Sequence, residues 1–109
     1  MKPVAWLGDS YARVKAFDPP ARHEIGLQLM LVQLGEEPTD WKPMGSIGTG
    51  VAEIRVLVGN AHRLIYVAKF AEAVYVLHAF QKKSRKTSRL DIELARLRFR
   101  RLIRERRES

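Results

Sequence analysis

Two arginines, Arg55 and Arg63, flank Gly59-Asn60 in a stretch whose apolar residues alternate as they do in β-strands. A turn made by Gly59 and Asn60 alone would point the two arginines to opposite faces of the hairpin. An odd loop centred on Gly59 instead places them directly across from each other. The second register is favoured because it collects apolar residues on one face, namely Ala52, Ile54, Val56, Leu64, Tyr66 and Ala68.

Opposed guanidinium groups repel each other unless an anion lies between them. Phosphate suits this position because the planar guanidinium donates two hydrogen bonds to phosphate oxygens. The same contacts would stabilise the negative charge that grows as phosphorus becomes five-coordinate. The alternative is that Arg55 or Arg63 forms a surface ion pair with Glu53 or Glu72, and the pattern leaves both interpretations open.

A group of four cations, Lys82, Lys83, Arg85 and Lys86, follows the third strand-like segment. If that strand neighbours the second one, its end lies beside Arg63, and the cations would surround the same site. Neighbouring positive charges lower the pKa of an ammonium group, which is one route to a lysine that exchanges protons near neutral pH. The alternative is a solvated linker between a strand and a helix.

The excess positive charge is confined to the end of the chain. Residues 1–80 carry eight basic and eight acidic side chains, whereas residues 81–109 carry twelve basic and four acidic ones, so the whole net charge of +8 lies there. A neutral body with a cationic end has a preferred face for phosphate or another polyanion.

Histidine and cysteine content limits the other kinds of chemistry. His78 could transfer protons, but alternation places it with Val74, Val76 and Phe80, which favours a packed, hydrogen-bonded ring. Cysteine is absent, and no two histidines have the spacing of metal ligands. We therefore expect no metal and no cofactor.

The remaining pattern predicts one α+β domain over residues 1–109, with a four-stranded, mainly antiparallel, curved sheet and helices packed on one face. We expect strands at residues 3–7, 51–58, 61–69 and 73–80, a short helix within 11–17, a helix over 19–34 capped by Asp18, a loop over 39–50 and a basic C-terminal helix over 88–108. The longest apolar run, residues 27–34, is too short to span a bilayer. A cytoplasmic protein without membrane contact is expected.

Several motifs occur in a distinctive order: Trp41-Lys42, Val51-Ala52-Glu53-Ile54-Arg55, His62-Arg63-Leu64-Ile65-Tyr66, then Phe80-Gln81-Lys82-Lys83 with Lys86-Thr87. Over about residues 3–97 this order resembles the phage-derived, HigB-like branch of the RelE/HigB toxin superfamily. The resemblance implies a RelE-like fold and a metal-independent endoribonuclease that cuts mRNA, commonly on the ribosome. It also implies a cognate antitoxin, often a helix-turn-helix protein.

The resemblance also implies roles for individual residues. Arg55 corresponds to a residue that contacts the scissile phosphate, Arg63 to the arginine that stabilises the transition state, and Lys82 or Lys83 to a basic residue after the last strand. Many relatives place a Tyr or His after that strand for proton transfer, but residues 84–109 contain neither. The proton-transfer group is therefore sought among Lys82, Lys83 and His78.

The sequence thus leads to the hypothesis of a ribonuclease toxin of a type II toxin–antitoxin module, which inhibits translation. The predicted catalytic residues are Arg55, Arg63, Lys82 and Lys83, and the predicted RNA-binding residues are Lys42, His78, Arg85 and Lys86. The rival hypotheses are a non-catalytic protein that binds nucleic acid or an antitoxin, as a decayed toxin would, and a phage protein whose basic helix binds an acidic partner.

Overall fold

The computed structural model describes residues 1–86 and 88–108. Along the chain the elements are β1 (Val4–Trp6), α1 (Ser10–Lys15), α2 (Pro19–Gln33), β2 (Trp41–Pro43), β3 (Val51–Val58), β4 (Asn60–Val67), β5 (Val74–Lys82) and α3 (Arg89–Glu108). Thr87, the last residue of the Lys86-Thr87 motif, lies outside the described residues. Within the described part, no helix combines the length and the apolar character needed to cross a bilayer.

The strands form a five-stranded sheet in the order β1-β5-β4-β3-β2. β1 runs parallel to β5, and the other neighbours are antiparallel. The predicted α+β class is confirmed, but the predicted number of four strands is wrong. The additional strand is β2, which lies in the segment predicted as a loop, because three residues ending in a proline are too few to show an alternating pattern.

The hairpin of β3 and β4 has the predicted register. Val58 pairs with Asn60, so Gly59 alone forms the turn, and its φ of 70° is in the left-handed region that glycine adopts without strain. Arg55 consequently lies directly opposite Arg63.

A register shift between Ile65 and Tyr66 changes the alternation in β5. Ile65 pairs with His78 while Tyr66 pairs with Val76, so β5 contains one extra residue at this point. The bulge moves His78 to the face opposite Val76. The prediction that His78 shares a face with Val74 and Val76 is therefore wrong, because a bulge breaks the period of two on which it was based.

Apolar cores form on both faces of the sheet. On one face, which we call the α2 face, the two N-terminal helices pack against the strands. The helices contribute the buried residues Val14, Ile25, Leu29 and Val32, and the strands contribute Ile54, Leu64 and Val76. On the opposite face, the α3 face, Ala95 and Leu102 of α3 pack with Ile65, Val67 and Leu77. The prediction of helices packed on one face holds for the two N-terminal helices, and the C-terminal helix, for which no face was predicted, covers the apolar part of the second face.

The long N-terminal helix begins where predicted, although its cap differs. Asp18 precedes α2 and accepts a backbone hydrogen bond from Arg22, but its side chain makes no capping bond. The helix ends at Gln33, one residue before the predicted end. Pro19 at the first helical position therefore marks the start of α2 better than the Asp18 carboxylate does.

Candidate functional site

Charged side chains from four adjacent strands share the α3 face. We call this group, Lys42, Glu53, Arg55, Arg63 and Lys82, the cross-strand patch. Lys42 of β2 pairs with Glu53 of β3, and Arg55 pairs with Arg63 of β4. Lys82 of β5 pairs with Ala61, two residues before Arg63, which keeps Lys82 on the same face. Since neighbouring strands are about 4.8 Å apart, the patch spans about 14 Å, enough for a sugar-phosphate link.

Glu53 is the buried centre of the cross-strand patch. Its side chain is 1% exposed, and neither carboxylate oxygen has a hydrogen-bond partner among the described residues. Burial raises the pKa of Glu53, and the positive charges around it oppose that rise. In decreasing order of effect these charges belong to Lys42, Arg63, Lys82 and Arg55. A buried carboxylate with a raised pKa, whose oxygens accept no hydrogen bond from the described residues, can accept a proton from a bound hydroxyl.

Arg63 lies beside Glu53 and is itself largely buried. Its Nε is 3.4 Å from Glu53 Oε1, and the side chain is 13% exposed. This pair is close enough for charge attraction, but Nε makes no hydrogen bond within the described part of the chain. Its Nη1 donates to the backbone oxygen of His62 at 3.2 Å. The guanidinium is thus held by one backbone contact and retains donors for an anion.

Arg55 is held by a different carboxylate. Its Nε and Nη2 both donate to Asp40 Oδ1, at 3.0 and 2.8 Å. The arginine is 36% exposed and Asp40 is 56% exposed, so solvent reaches the pair. The ion-pair alternative considered for these arginines therefore holds in part: Arg63 neighbours Glu53, and Arg55 pairs with Asp40. Glu72, the other acid considered, pairs with Arg106.

The cations that follow β5 do not all belong to the cross-strand patch. Lys83 lines an open cleft with Phe17 and Gln81, beside α1. Arg85 and Lys86 are exposed in the segment that follows β5, where the Ser84 hydroxyl donates to the Lys86 carbonyl oxygen. The structure thus brings Lys42, Arg55, Arg63 and Lys82 together and leaves Lys83 outside.

His78 is fully buried, as expected for a packed histidine. Its Nε2 lies 2.6 Å from Asp91 Oδ1, and Arg98 Nη1 lies 3.1 Å from its Nδ1. Because the guanidinium can only donate, Nδ1 accepts, and Nε2 carries the proton that is donated to Asp91. Burial lowers the pKa of His78, and the Asp91 contact opposes this effect. Both ring nitrogens of His78, which was predicted to contact RNA, are engaged in contacts that join α3 to β5.

Glu53 and Asp40 are the residues whose importance the sequence did not reveal. Glu53 was considered only as a counter-charge to the arginines. The available signal was that this acid lies among the buried residues of β3. The Asp40 contact depends on β2, whose existence was not predicted. No sequence signal could therefore have paired Asp40 with Arg55.

A comparison with protein-family models shows where these residues fall. The model described as "Phage derived protein Gp49-like (DUF891)" matches residues 12–100. The chain belongs to this family. The Gp49-like match includes every residue of the cross-strand patch, and the family is a RelE/HigB-like family associated with toxin–antitoxin systems. A search of curated proteins gave no match.

Proposed function

We propose that this Gp49-like protein is the toxin of a type II toxin–antitoxin module and acts as a metal-independent endoribonuclease on mRNA. The observation that carries the proposal is the buried Glu53 carboxylate, without hydrogen-bond partners in the described residues and surrounded by the four cations of the cross-strand patch. Cleavage of RNA next to a 2′-hydroxyl requires this combination of a proton acceptor and positive charge.

The chemistry divides among three residues. The ribose 2′-oxygen attacks the adjacent phosphorus and transfers its proton to the Glu53 carboxylate. The bond from phosphorus to the 5′-oxygen breaks, and that oxygen takes a proton from the Lys82 ammonium. Arg63 donates to the phosphate oxygens as their charge increases. The products are a 2′,3′-cyclic phosphate and a 5′-hydroxyl. Glu53 then releases the proton it accepted to solvent, and Lys82 takes one back, which returns both groups to their starting states.

Arg55 and Lys42 supply binding rather than proton transfer. An exposed ion pair such as that of Arg55 with Asp40 contributes only about 0–1 kcal/mol, so a phosphate can replace Asp40 at low cost. Lys42 faces Glu53 from β2 and provides a second cation for the backbone. Arg85 and Lys86, which are exposed at the end of β5, extend the contact to neighbouring phosphates. DNA does not react because it has no 2′-hydroxyl.

The biological setting is part of the same proposal. The protein belongs to the HigB-like branch, cuts mRNA on the ribosome in the cytoplasm and so inhibits translation. A cognate antitoxin, a helix-turn-helix protein, neutralises it. What supports these statements is membership in a family associated with toxin–antitoxin systems.

The direct test is cleavage of mRNA by the purified protein, on free mRNA in the presence of EDTA and on ribosome-bound mRNA in Mg²⁺ buffer, which ribosomes need to stay assembled. We expect fragments with cyclic phosphate and 5′-hydroxyl ends, the products of attack by the 2′-hydroxyl. Glu53→Gln should abolish the fragments, whereas Arg22→Ala, a change on the remote α2 helix, should leave them unchanged. Fragments that carry 5′-phosphate ends, or cleavage of free mRNA that occurs only with added divalent metal, would reject the mechanism.

A non-catalytic RNA-binding protein is the second candidate function. It is favoured by the carboxylates beside both arginines, Glu53 at Arg63 and Asp40 at Arg55. Such a protein would bind RNA with a log–log salt slope of about −0.7 per single-strand phosphate contact. It would produce no fragments with ribosomes present or absent, which separates it from the nuclease.

A further inference from the structure

α3 carries a row of leucines that the fold does not cover. Leu90 and Leu97 are 64% and 43% exposed, and Leu94 between them is half-buried. The spacing of i, i+4 and i+7 places all three along one side of the helix. Leu7 lies across from Leu94 and Leu97, and the two sides enclose a cleft of about 290 Å³. We call this cleft and the adjoining Leu90 the α3 groove.

Positive charge predominates around the α3 groove, where Glu105 is the one acidic residue of the described lining. Four of the arginines of α3 are engaged within the protein: Arg89 by Glu93, Arg96 by the Ser46 carbonyl oxygen, Arg98 by Asp9 and Arg106 by Glu72. The other four, Arg100, Arg101, Arg104 and Arg107, form no ion pair with residues 1–86 or 88–108. Arg101 lines the groove itself, and Arg104 lies two turns beyond Leu97, on the same side.

We propose that the α3 groove binds an acidic amphipathic helix of a partner protein. The apolar face of such a helix would cover Leu90, Leu94 and Leu97, and its carboxylates would reach Arg101 and Arg104. A partner that presents anchors at i, i+3, i+4 and i+7 is the common occupant of a groove lined by leucines. Charge complementarity selects an acidic partner over a neutral one.

RNA fits the same surface less well. A phosphate backbone would satisfy Arg101 and Arg104 but would leave the leucines in water, because phosphate and sugar provide little apolar surface to cover them. A protein helix uses both kinds of contact. The proposal does not depend on ribonuclease activity, since the groove and the cross-strand patch share no residue.

The test uses a synthetic peptide of about 20 residues, long enough to span α3, with leucines on one helical face and glutamates elsewhere. The control peptide has the same composition with the leucines distributed around the helix. Binding is measured by fluorescence anisotropy to the full-length protein. We expect the patterned peptide to bind at least about tenfold more tightly than the control peptide, because only it buries leucine against leucine.

Variants of the protein locate the binding surface. Leu90→Ser with Leu97→Ser, and separately Arg101→Glu with Arg104→Glu, should each weaken binding of the patterned peptide by about tenfold or more. Leu57→Ser, a change at a leucine 79% exposed on β3, is the matched control and should have no effect. Because Leu90 is so exposed, Leu90→Ser alone preserves the fold and still weakens binding if the double variant does not fold.

Two results would overturn the proposal. One is equal binding of the patterned and control peptides, which would mean that charge alone attracts them. The other is an unchanged peptide affinity in the leucine variants together with a lower affinity for single-stranded RNA, which would assign the surface to RNA.

Discussion

Arg63 Nε lies 3.4 Å from Glu53 Oε1 in the middle of a sheet face, and neither atom has a hydrogen-bond partner in the described part of the chain. Burying a charged group without hydrogen bonds costs stability. The pair is therefore destabilising unless a ligand completes it. A phosphate that bonds to Arg63 and a hydroxyl that bonds to Glu53 would satisfy both groups together. The loss of stability in the free protein would then be explained by the binding of RNA.

The first prediction concerns the stability of Glu53→Gln. A raised pKa in the folded state means that the folded protein holds the proton more tightly than the unfolded chain does. The stabilisation is therefore complete below the ordinary value of 4.5 and is lost as pH rises from 4.5 through the raised folded pKa. Glu53→Gln, which does not ionise, should remove this loss and raise the free energy of unfolding at pH 7. Urea titrations between pH 4 and pH 8 measure both effects.

The matched control for that prediction is Glu93→Gln, at an exposed acid on α3. It should leave the slope of stability against pH unchanged. If Glu53→Gln were less stable than the parent at pH 7, the ionised carboxylate would be a stabilising partner of Arg63, and the role of proton acceptor would lose its basis.

The second prediction concerns His78. Replacing it by Ala removes a fully buried ring and leaves Asp91 and Arg98 without their shared partner, so unfolding should become easier by about 2–4 kcal/mol. Because the folded pKa is lowered, wild-type stability is complete above the ordinary value of 6.5 and declines as pH falls below it. That decline should be absent in His78→Ala. Thermal unfolding monitored by circular dichroism at pH 5 and pH 7.5 compares the two proteins.

The same variant also tests the assignment of proton transfer. Since the His78 ring is buried and anchors α3, His78→Ala should retain ribonuclease activity at temperatures where it is folded. A folded His78→Ala variant without ribonuclease activity would indicate that His78 takes part in proton transfer.

The third prediction uses two glycines with opposite environments. Gly8 has a φ of 56°, and a Cβ there would collide with the Arg98 guanidinium, so Gly8→Ala should cost about 1–3 kcal/mol. Gly26 lies inside α2, and no atom of the described residues outside the helix backbone is within 4 Å of its Cβ position, so Gly26→Ala should stabilise the protein by about 0.5–1 kcal/mol. Chemical denaturation of both variants measures these changes. Equal effects of the two substitutions would contradict both the strain expected at the positive φ of Gly8 and the close packing of Arg98 against it.

Much of the fold could be predicted because local patterns determine it. The alternation in β3 and β4, together with a single left-handed glycine, set the register that places Arg55 opposite Arg63. Pro19 marked the start of α2, and the arginine-rich periodicity marked α3.

The rest depended on contacts between distant segments. β2 and its Asp40 contact have no local signal, and the β5 bulge moved His78 to the α3 face without any glycine or proline to indicate it. The burial of Glu53 likewise follows from four strands meeting around it, which the residues of β3 alone do not show.

The central claim is that Arg63 stabilises the transition state of RNA cleavage. The most direct measurement is the single-turnover rate of mRNA cleavage by Arg63→Ala, compared with the wild type and with Arg22→Ala as a matched loss of one arginine outside the cross-strand patch. We expect a decrease of about 10²–10³-fold for Arg63→Ala, with no change in the RNA ends and no change for Arg22→Ala. A folded Arg63→Ala protein that cleaves at the wild-type rate would contradict it.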